Sequence, residues 1–357
     1  EISGWKDKYE CGDDEYRVST VYIGGGTPSV LEASNIEFIL GKIRQYFDLE
    51  GSREPEITIE VNPGTVDLSK FKVYKKAGIN RLSIGLQSAN PQELKELGRI
   101  HDPEDFLKAY EAAAQAGFDN INVDIMTAIP RQTVKSLKET INTVISLKPA
   151  PTHISAYSLI IEEGTPFYEK YGMYLEEDKP MDTSDGSISL PAEEEERLMY
   201  HNAVKQLREA GYKRYEISNF AKPGYESRHN SAYWKVIDYI GLGLGASSLL
   251  KNVRYKNTVS LKEYLEDPCA KDKFAEKSVL EPEDRMDEFM ILGLRMSEGV
   301  KTEEYREKFA EDIRVRYGEE IKKLKKDGLL KEYGGRIFLT ERGIDYGNYV
   351  FSNFLKG

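Results

Sequence analysis

Short runs of β-forming residues alternate with longer helix-forming stretches through the first 220 residues, and this rhythm constrains the fold more than any single motif. The β-rich runs are STVYIGG (19–25), EITIEVN (56–62), RLSIGLQ (81–87), NINVDIM (120–126), HISAYSL (153–159) and YEISNFA (215–221). Helix-forming segments lie between most of them, at 33–48, 67–76, 103–116, 132–147 and 191–210. Parallel neighbours need a long crossover, and a helix supplies it, so this alternation predicts βαβ units and a parallel sheet. Five or six units predict an α/β fold with a full or partial (β/α) barrel; a doubly wound open sheet shares the periodicity. Successive apolar residues in the strands predict a sheet covered by helices.

Two regions break the rhythm. The acidic, turn-rich stretch 171–196 reads as a long loop before the helix at 191–210. From residue 281, helical segments at 284–299, 302–310 and 318–330 precede a hairpin-like KEYGGRIFLTERG (331–343), which is winged-helix topology. We therefore divide the chain into a (β/α) core (1–220), an extension with a glycine-rich strand (221–280) and a winged-helix-like C-terminal domain (281–357).

Composition narrows the function classes. The 357 residues carry a formal charge of −11, and the tail from 281 is itself net acidic, with 17 Asp and Glu against 15 Lys and Arg. A nucleic-acid binder needs a basic face, so none is expected, and the cluster Lys322, Lys323, Lys325 and Lys326 reads as a solvated helix face. No run of apolar residues is long enough to span a bilayer and the first residues are polar, so a cytoplasmic location is expected. Two cysteines, Cys11 and Cys269, make neither a disulfide framework nor a metal site.

In parallel α/β folds, ligands gather at the carboxyl ends of the strands. The first run there ends in Gly24-Gly25-Gly26-Thr27-Pro28, where glycines let a ligand approach the backbone. It is neither a Walker loop nor G-x-G-x-x-G, and taken alone it is an ordinary turn. Glu60 ends the second run, Gln87 the third, and Asp124 lies in the fourth. Individually, Glu60 and Asp124 read equally well as salt-bridge partners between strands. Together they form a polar ring suited to a small zwitterionic or nucleoside-like ligand, with Arg99 placed to meet its carboxylate. The run Gly241-Leu-Gly243-Leu-Gly245 opens no βαβ unit and reads as a glycine-rich strand under a flat ligand. The four histidines, His101, His153, His201 and His229, show no metal spacing. His229 stands beside Tyr233 and Trp234, a cluster that is either structural or a contact for an aromatic or tetrapyrrole ligand.

The ordered set GGGTPS, IEVNPG, RLSIGLQS, LGRIHDPED and NVDIMTAIPRQT strongly resembles the radical S-adenosylmethionine (SAM) family of oxygen-independent coproporphyrinogen III oxidase (HemN) and the heme chaperone HemW. HISAYSLIIEEGTPF, YEISNFAKPGYESRHNSAYW and IGLGLGASS look more like the HemW branch, and the likeness runs from about residue 19 to 355. It implies SAM contacts at Gly25, Gly26, Thr27, Glu60, Gln87, Arg99 and Asp124, and a [4Fe-4S] cluster as second cofactor. It also implies heme or porphyrin as ligand, with His229 the heme-binding candidate, and a heme-receiving protein as partner. Thr127 and Ala128 stand where the family often has an aromatic residue and Gly. The family's cluster motif, C-x3-C-x2-C, does not occur in the sequence; Glu1 falls in mid-element, so the motif and the first barrel strand are expected before it. Three readings follow: a HemW-like heme chaperone, a coproporphyrinogen III dehydrogenase, or a (β/α) binding protein without redox chemistry.

Overall fold

The computed structural model describes residues 1–9, 17–49, 54–172, 190–268 and 274–356. Cys11, Cys269 and most of the acidic 171–196 stretch lie outside them; residues at its front edge belong to a short helix, Pro166–Tyr171.

Seven strands form the main sheet: β1 (Thr20–Ile23), β2 (Glu56–Val61), β3 (Arg81–Gln87), β4 (Ile121–Thr127), β5 (His153–Ser158), β6 (Lys213–Arg214) and β7 (Asn219–Ala221). Their spatial order is β1-β2-β3-β4-β5-β7-β6, and the first five run parallel in chain order. A doubly wound sheet reverses its strand order at a switch point. This one does not, so the partial (β/α) barrel is the fold.

The crossover helices start where local chemistry dictates. Asp67 accepts from the Lys70 amide to cap Leu68–Lys76. Asp102 and Asp105 form a reciprocal capping box for Pro103–Gln115, with Pro103 at the first helical position. Thr133 and Ser136 do the same for Val134–Ile145. Four glutamates in the first turn of Glu193–Glu209 meet the positive end of its dipole.

The strands cover only one face with helices, contrary to the expected all-apolar reading. Leu82, Ile84, Val123, Ile125, Ile154 and Ala156 point to the helices and bury themselves against Phe71, Phe106, Leu137 and Ile141. The alternate positions are polar: Tyr22, Glu56, Thr58, Glu60, Arg81, Ser83, Asn122, Asp124, His153, Ser155 and Tyr157. Period-two alternation sends them to the opposite face, inside the barrel.

The sequence 215–221 predicted another strand of the βαβ series. It is instead a reversal from β6 into β7, and β7 pairs antiparallel with β5. Fully buried Glu216 holds the bend: its Oε1 accepts from the Ser218 amide (2.8 Å) and from Asn219 Nδ2 (2.6 Å).

A second sheet, β8 (Ser247–Leu250), β9 (Val253–Asn257) and β10 (Phe274–Val279), is antiparallel. Of the glycine-rich strand expected at 241–247, only Ser247 is in a strand, as the first residue of β8; residues 241–246 form the turns that lead into it. Gly241 is required there, since a Cβ would sit 2.1 Å from the Ser247 carbonyl oxygen.

Helices Pro282–Arg295, Thr302–Phe309 and Ile313–Lys326 then build a winged-helix-like domain with β11 (Val300–Lys301), β12 (Leu330–Tyr333) and β13 (Arg336–Leu339). It has its own core of Met290, Leu294, Tyr305, Tyr317, Leu324 and Ile337. The third helix starts at Ile313, earlier than the sequence indicated, because Asp312 caps it through the Arg314 amide. Among the described residues, no helix is long and apolar enough to cross a membrane.

Ile84 is fully enclosed between β3 and the helix layer. Ile84→Ala should destabilise the barrel by about 2–5 kcal/mol, read as a lower urea midpoint at unchanged slope.

Candidate functional site

The carboxyl ends of the parallel strands enclose a cavity of about 190 Å³. Gly26, Thr27, Glu60, Gln87, Arg99 and Asp124 all line it, with Tyr157 from β5. Gly25 is not in the lining, but its amide donates to Glu60 Oε2 (3.3 Å).

Each wall has a local cause. Gly25 and Gly26 have φ of +79° and +72°, which glycine adopts without strain, and open space lies beside both. Gly24 is needed for a different reason: a Cβ would come within 2.5 Å of the Tyr22 ring and 3.0 Å of the Glu60 carboxyl. That closeness lets the Tyr22 hydroxyl donate to Glu60 Oε1 at 2.6 Å. Burial and the Glu60 charge hold the Tyr22 phenol far above its ordinary value, so it stays a donor.

Gln87 reaches the cavity through a bulge. The β3–β4 register slips between Gly85 and Gln87, and Gln87 takes a φ of +68°. The turned side chain lies against Gly85, where a Cβ would be 2.8 Å from Gln87 Nε2, and its Oε1 accepts from the Tyr157 hydroxyl (2.9 Å). Asp124 is held by Ser83 Oγ (3.0 Å) and Asn122 Nδ2 (2.7 Å). Desolvation raises its carboxyl above the usual range, and the nearby Glu60 charge adds to this, against those two hydrogen bonds. Arg99 is exposed at the rim and forms no salt bridge among the described residues. The cavity thus has acids on one side and a guanidinium at its mouth, a polarity matched to a zwitterion.

Ala128 has a φ of +58°. Left-handed backbone there explains why a glycine is the easier residue at this position.

The histidines divide by environment. His153 is fully buried, and burial holds its imidazole well below the ordinary value. Its Nδ1–H donates to Asn122 Oδ1 (2.6 Å), and its Nε2 accepts from the Tyr215 hydroxyl (2.9 Å). His101 is buried against the Leu86 carbonyl, and His201 pairs with Asp345 (2.9 Å). His229 does not enter the strand-end cavity. It lies in helix Arg228–Trp234, which closes the opposite end of the strands: the amides of Arg228 and His229 donate to Glu56 (3.1 and 3.0 Å). The His229 ring stacks on Tyr22 (4.7 Å), meets Tyr233 edge-on (4.9 Å), and its Nδ1 contacts Thr20 Oγ1 (2.9 Å).

Sequence reasoning missed Tyr22, Ser83, Asn122 and Tyr157. The signal was present as polar residues at every second position within otherwise apolar strands.

Burial lowers the His229 imidazole to about 4. The unfolded chain then binds a proton that the folded chain refuses between about pH 6.5 and pH 4, so this contribution to stability is lost as pH falls through that window. His229→Asn should flatten the pH dependence of the denaturation midpoint there. Gly85→Ala should displace Gln87 and lower affinity for any ligand of the strand-end cavity, seen by calorimetry, while circular dichroism stays unchanged.

The Radical SAM superfamily model matches residues 8–144, and the HemN C-terminal domain model matches residues 280–346. The heme chaperone HemW of Lactococcus lactis is 37% identical over 95% of this chain and 85% of its own length. That of Bacillus subtilis is 35% identical over 95% of this chain and 86% of its own length. Among solved structures, coproporphyrinogen III oxidase (HemN) from Escherichia coli superposes with a TM-score of 0.78 over 99% of this chain and 82% of its own, at 20% identity, which shows the shared fold. By these identities over nearly its whole length, the chain belongs to the HemW family of radical SAM proteins.

Proposed function

We propose that this chain is a SAM-binding heme chaperone, which binds heme in the cytoplasm and hands it to a receiving protein. The observation that carries the SAM half is the meeting of Gly26, Thr27, Glu60, Gln87, Arg99 and Asp124 around one cavity. SAM presents an ammonium, a carboxylate and a ribose diol. Glu60 and the Gly25–Gly26 backbone suit the ammonium, Arg99 the carboxylate, and Asp124 with Gln87 the diol. The heme half is supported by the relatives, which are heme chaperones at 31–37% identity. The oxidase reading has only the fold likeness behind it.

Radical SAM proteins join SAM to a [4Fe-4S] cluster, which supplies the electron for reductive cleavage. Its ligands are not among the described residues: Cys11 and Cys269 lie outside them, and no described group of three His, Cys, Asp or Glu is placed to hold a metal.

For heme, His229 is the candidate axial ligand. Its imidazole is neutral at physiological pH, the form that binds a metal, and half-exposed Tyr233 beside it offers an aromatic face to a flat ligand.

Calorimetry with SAM tests the first half. Glu60→Gln, Asp124→Asn and Arg99→Ala should each weaken binding about tenfold or more, roughly 1.4 kcal/mol. Unchanged affinity in all three would remove SAM from this cavity. Heme titration followed by the Soret band tests the second half: His229→Ala should shift the band and weaken binding, and an unchanged spectrum would exclude His229 as ligand.

A further inference from the structure

Deeper on the same polar face lies a second cavity of about 230 Å³. It shares Ser83, Asp124 and Tyr157 with the strand-end cavity and is closed from below by Asn230, Trp234 and Arg295.

Arg81, the first residue of β3, lines it and is only 1% exposed. It forms no salt bridge among the described residues, and its Nε–H and Nη2–H find no acceptor there. A buried guanidinium in that condition is costly. The two unmet donors share one edge of the planar group. That edge carries two parallel N–H bonds, the fork that grips both oxygens of a carboxylate.

The acids around the cavity do not fill the role. Asp124 spends its oxygens on Ser83 and Asn122, and Glu216 Oε1 is taken by Ser218 and Asn219. Glu216 Oε2 lies 3.8 Å from Arg295 Nη2. Burial raises both carboxyls, which moves them toward the neutral form. The indole N–H of Trp234 is also enclosed without an acceptor. Among the described residues the walls therefore hold more unmet donors (Arg81 Nε and Nη2, Trp234 Nε1, Arg295 Nε) than unmet acceptors (Glu216 Oε2), on a planar fork rather than a tetrahedral cradle.

We propose that this inner cavity is a carboxylate-recognition site, in which the Nε–Nη2 edge of Arg81 takes both oxygens and Arg295 with the Trp234 N–H completes the enclosure. The carboxylate is that of a small organic acid or a propionate arm of heme; the second source rests on the chaperone reading above.

The test compares acid with ester in the full chain. Trp234 lines the cavity, so tryptophan fluorescence follows succinate against dimethyl succinate, and Soret absorbance follows hemin against its dimethyl ester. The free acid should bind wild type at least tenfold more tightly than the ester, and this preference should fall below about twofold in Arg81→Met. Arg81→Lys should recover charge but not the fork, leaving an intermediate preference. If Arg81 variants fail to fold by circular dichroism, Arg295→Met should still reduce the preference. Acid preference for succinate without hemin binding would uphold the site and refute the chaperone reading. Acid preference for hemin alone assigns the site to the propionate. Equal binding of acid and ester by wild type, binding of neither acid, or a preference untouched by the substitutions overturns the proposal.

Discussion

A sheet covered by helices on one face only must find partners for its other face, and that constraint shapes this molecule. The inner positions of β1 to β5 are polar almost without exception, and each unmet polar group there costs on the order of 1–3 kcal/mol. They are met mainly by one another. Asn122 links Ser83, Asp124, His153 and Ser155; Ser155 continues to Asn219 (2.7 Å), and Asn219 to Glu216. The neutral state of His153 belongs to this network, since Asn122 Oδ1 can only accept and Tyr215 donates to the other nitrogen. A charged imidazole would break one bond of the pair.

The same constraint explains the helix Arg228–Trp234. Glu56 begins β2 on the inner face and is buried, yet its carboxylate is satisfied by the helix's first amides and by Ser227 Oγ (3.5 Å). The amides of a helix's first turn have no partners within the helix, so a carboxylate placed there serves both groups. The strand starts are thereby closed by protein, while the strand ends, with three glycines and a bulge, stay open to a ligand. An identical polar face is structural at one end and a binding surface at the other.

Sequence rhythm made the barrel legible because crossover helices and their caps are local: Asp67, Asp102 and Thr133 act on amides three residues away. Glu60, Gln87, Arg99 and Asp124 were legible for a related reason, as strand ends are where α/β folds bind ligands. What escaped the sequence depends on burial and close packing that residue pattern does not reveal. The reversal at Tyr215–Ser218 follows from Glu216 finding Asn219, and nothing in YEISNFA distinguishes it from another parallel strand. The turn at 241–246 depends on close contact between Gly241 and Ser247. Arg81 sits in a strand that reads as ordinary, and only three-dimensional burial shows that its charge lacks a partner.

The winged-helix-like domain joins the barrel at the same bend that terminates the polar face. The Ser297 amide donates to the Tyr215 carbonyl (2.8 Å), Glu216 bridges to Met296, and the Arg295 guanidinium lies 4.4 Å over the Trp234 ring. Cation–π contacts of this kind contribute on the order of 0.5–2 kcal/mol. Glu216 is fully buried with Arg295 Nη2 3.8 Å from its Oε2, whereas the half-exposed Lys235–Glu298 pair nearby (3.1 Å) contributes little. The junction is therefore set by three residues that also wall the inner cavity: Glu216, Trp234 and Arg295. Two separate apolar cores are held in register through a polar site, so occupancy of that site and the seating of the C-terminal domain share the same bonds.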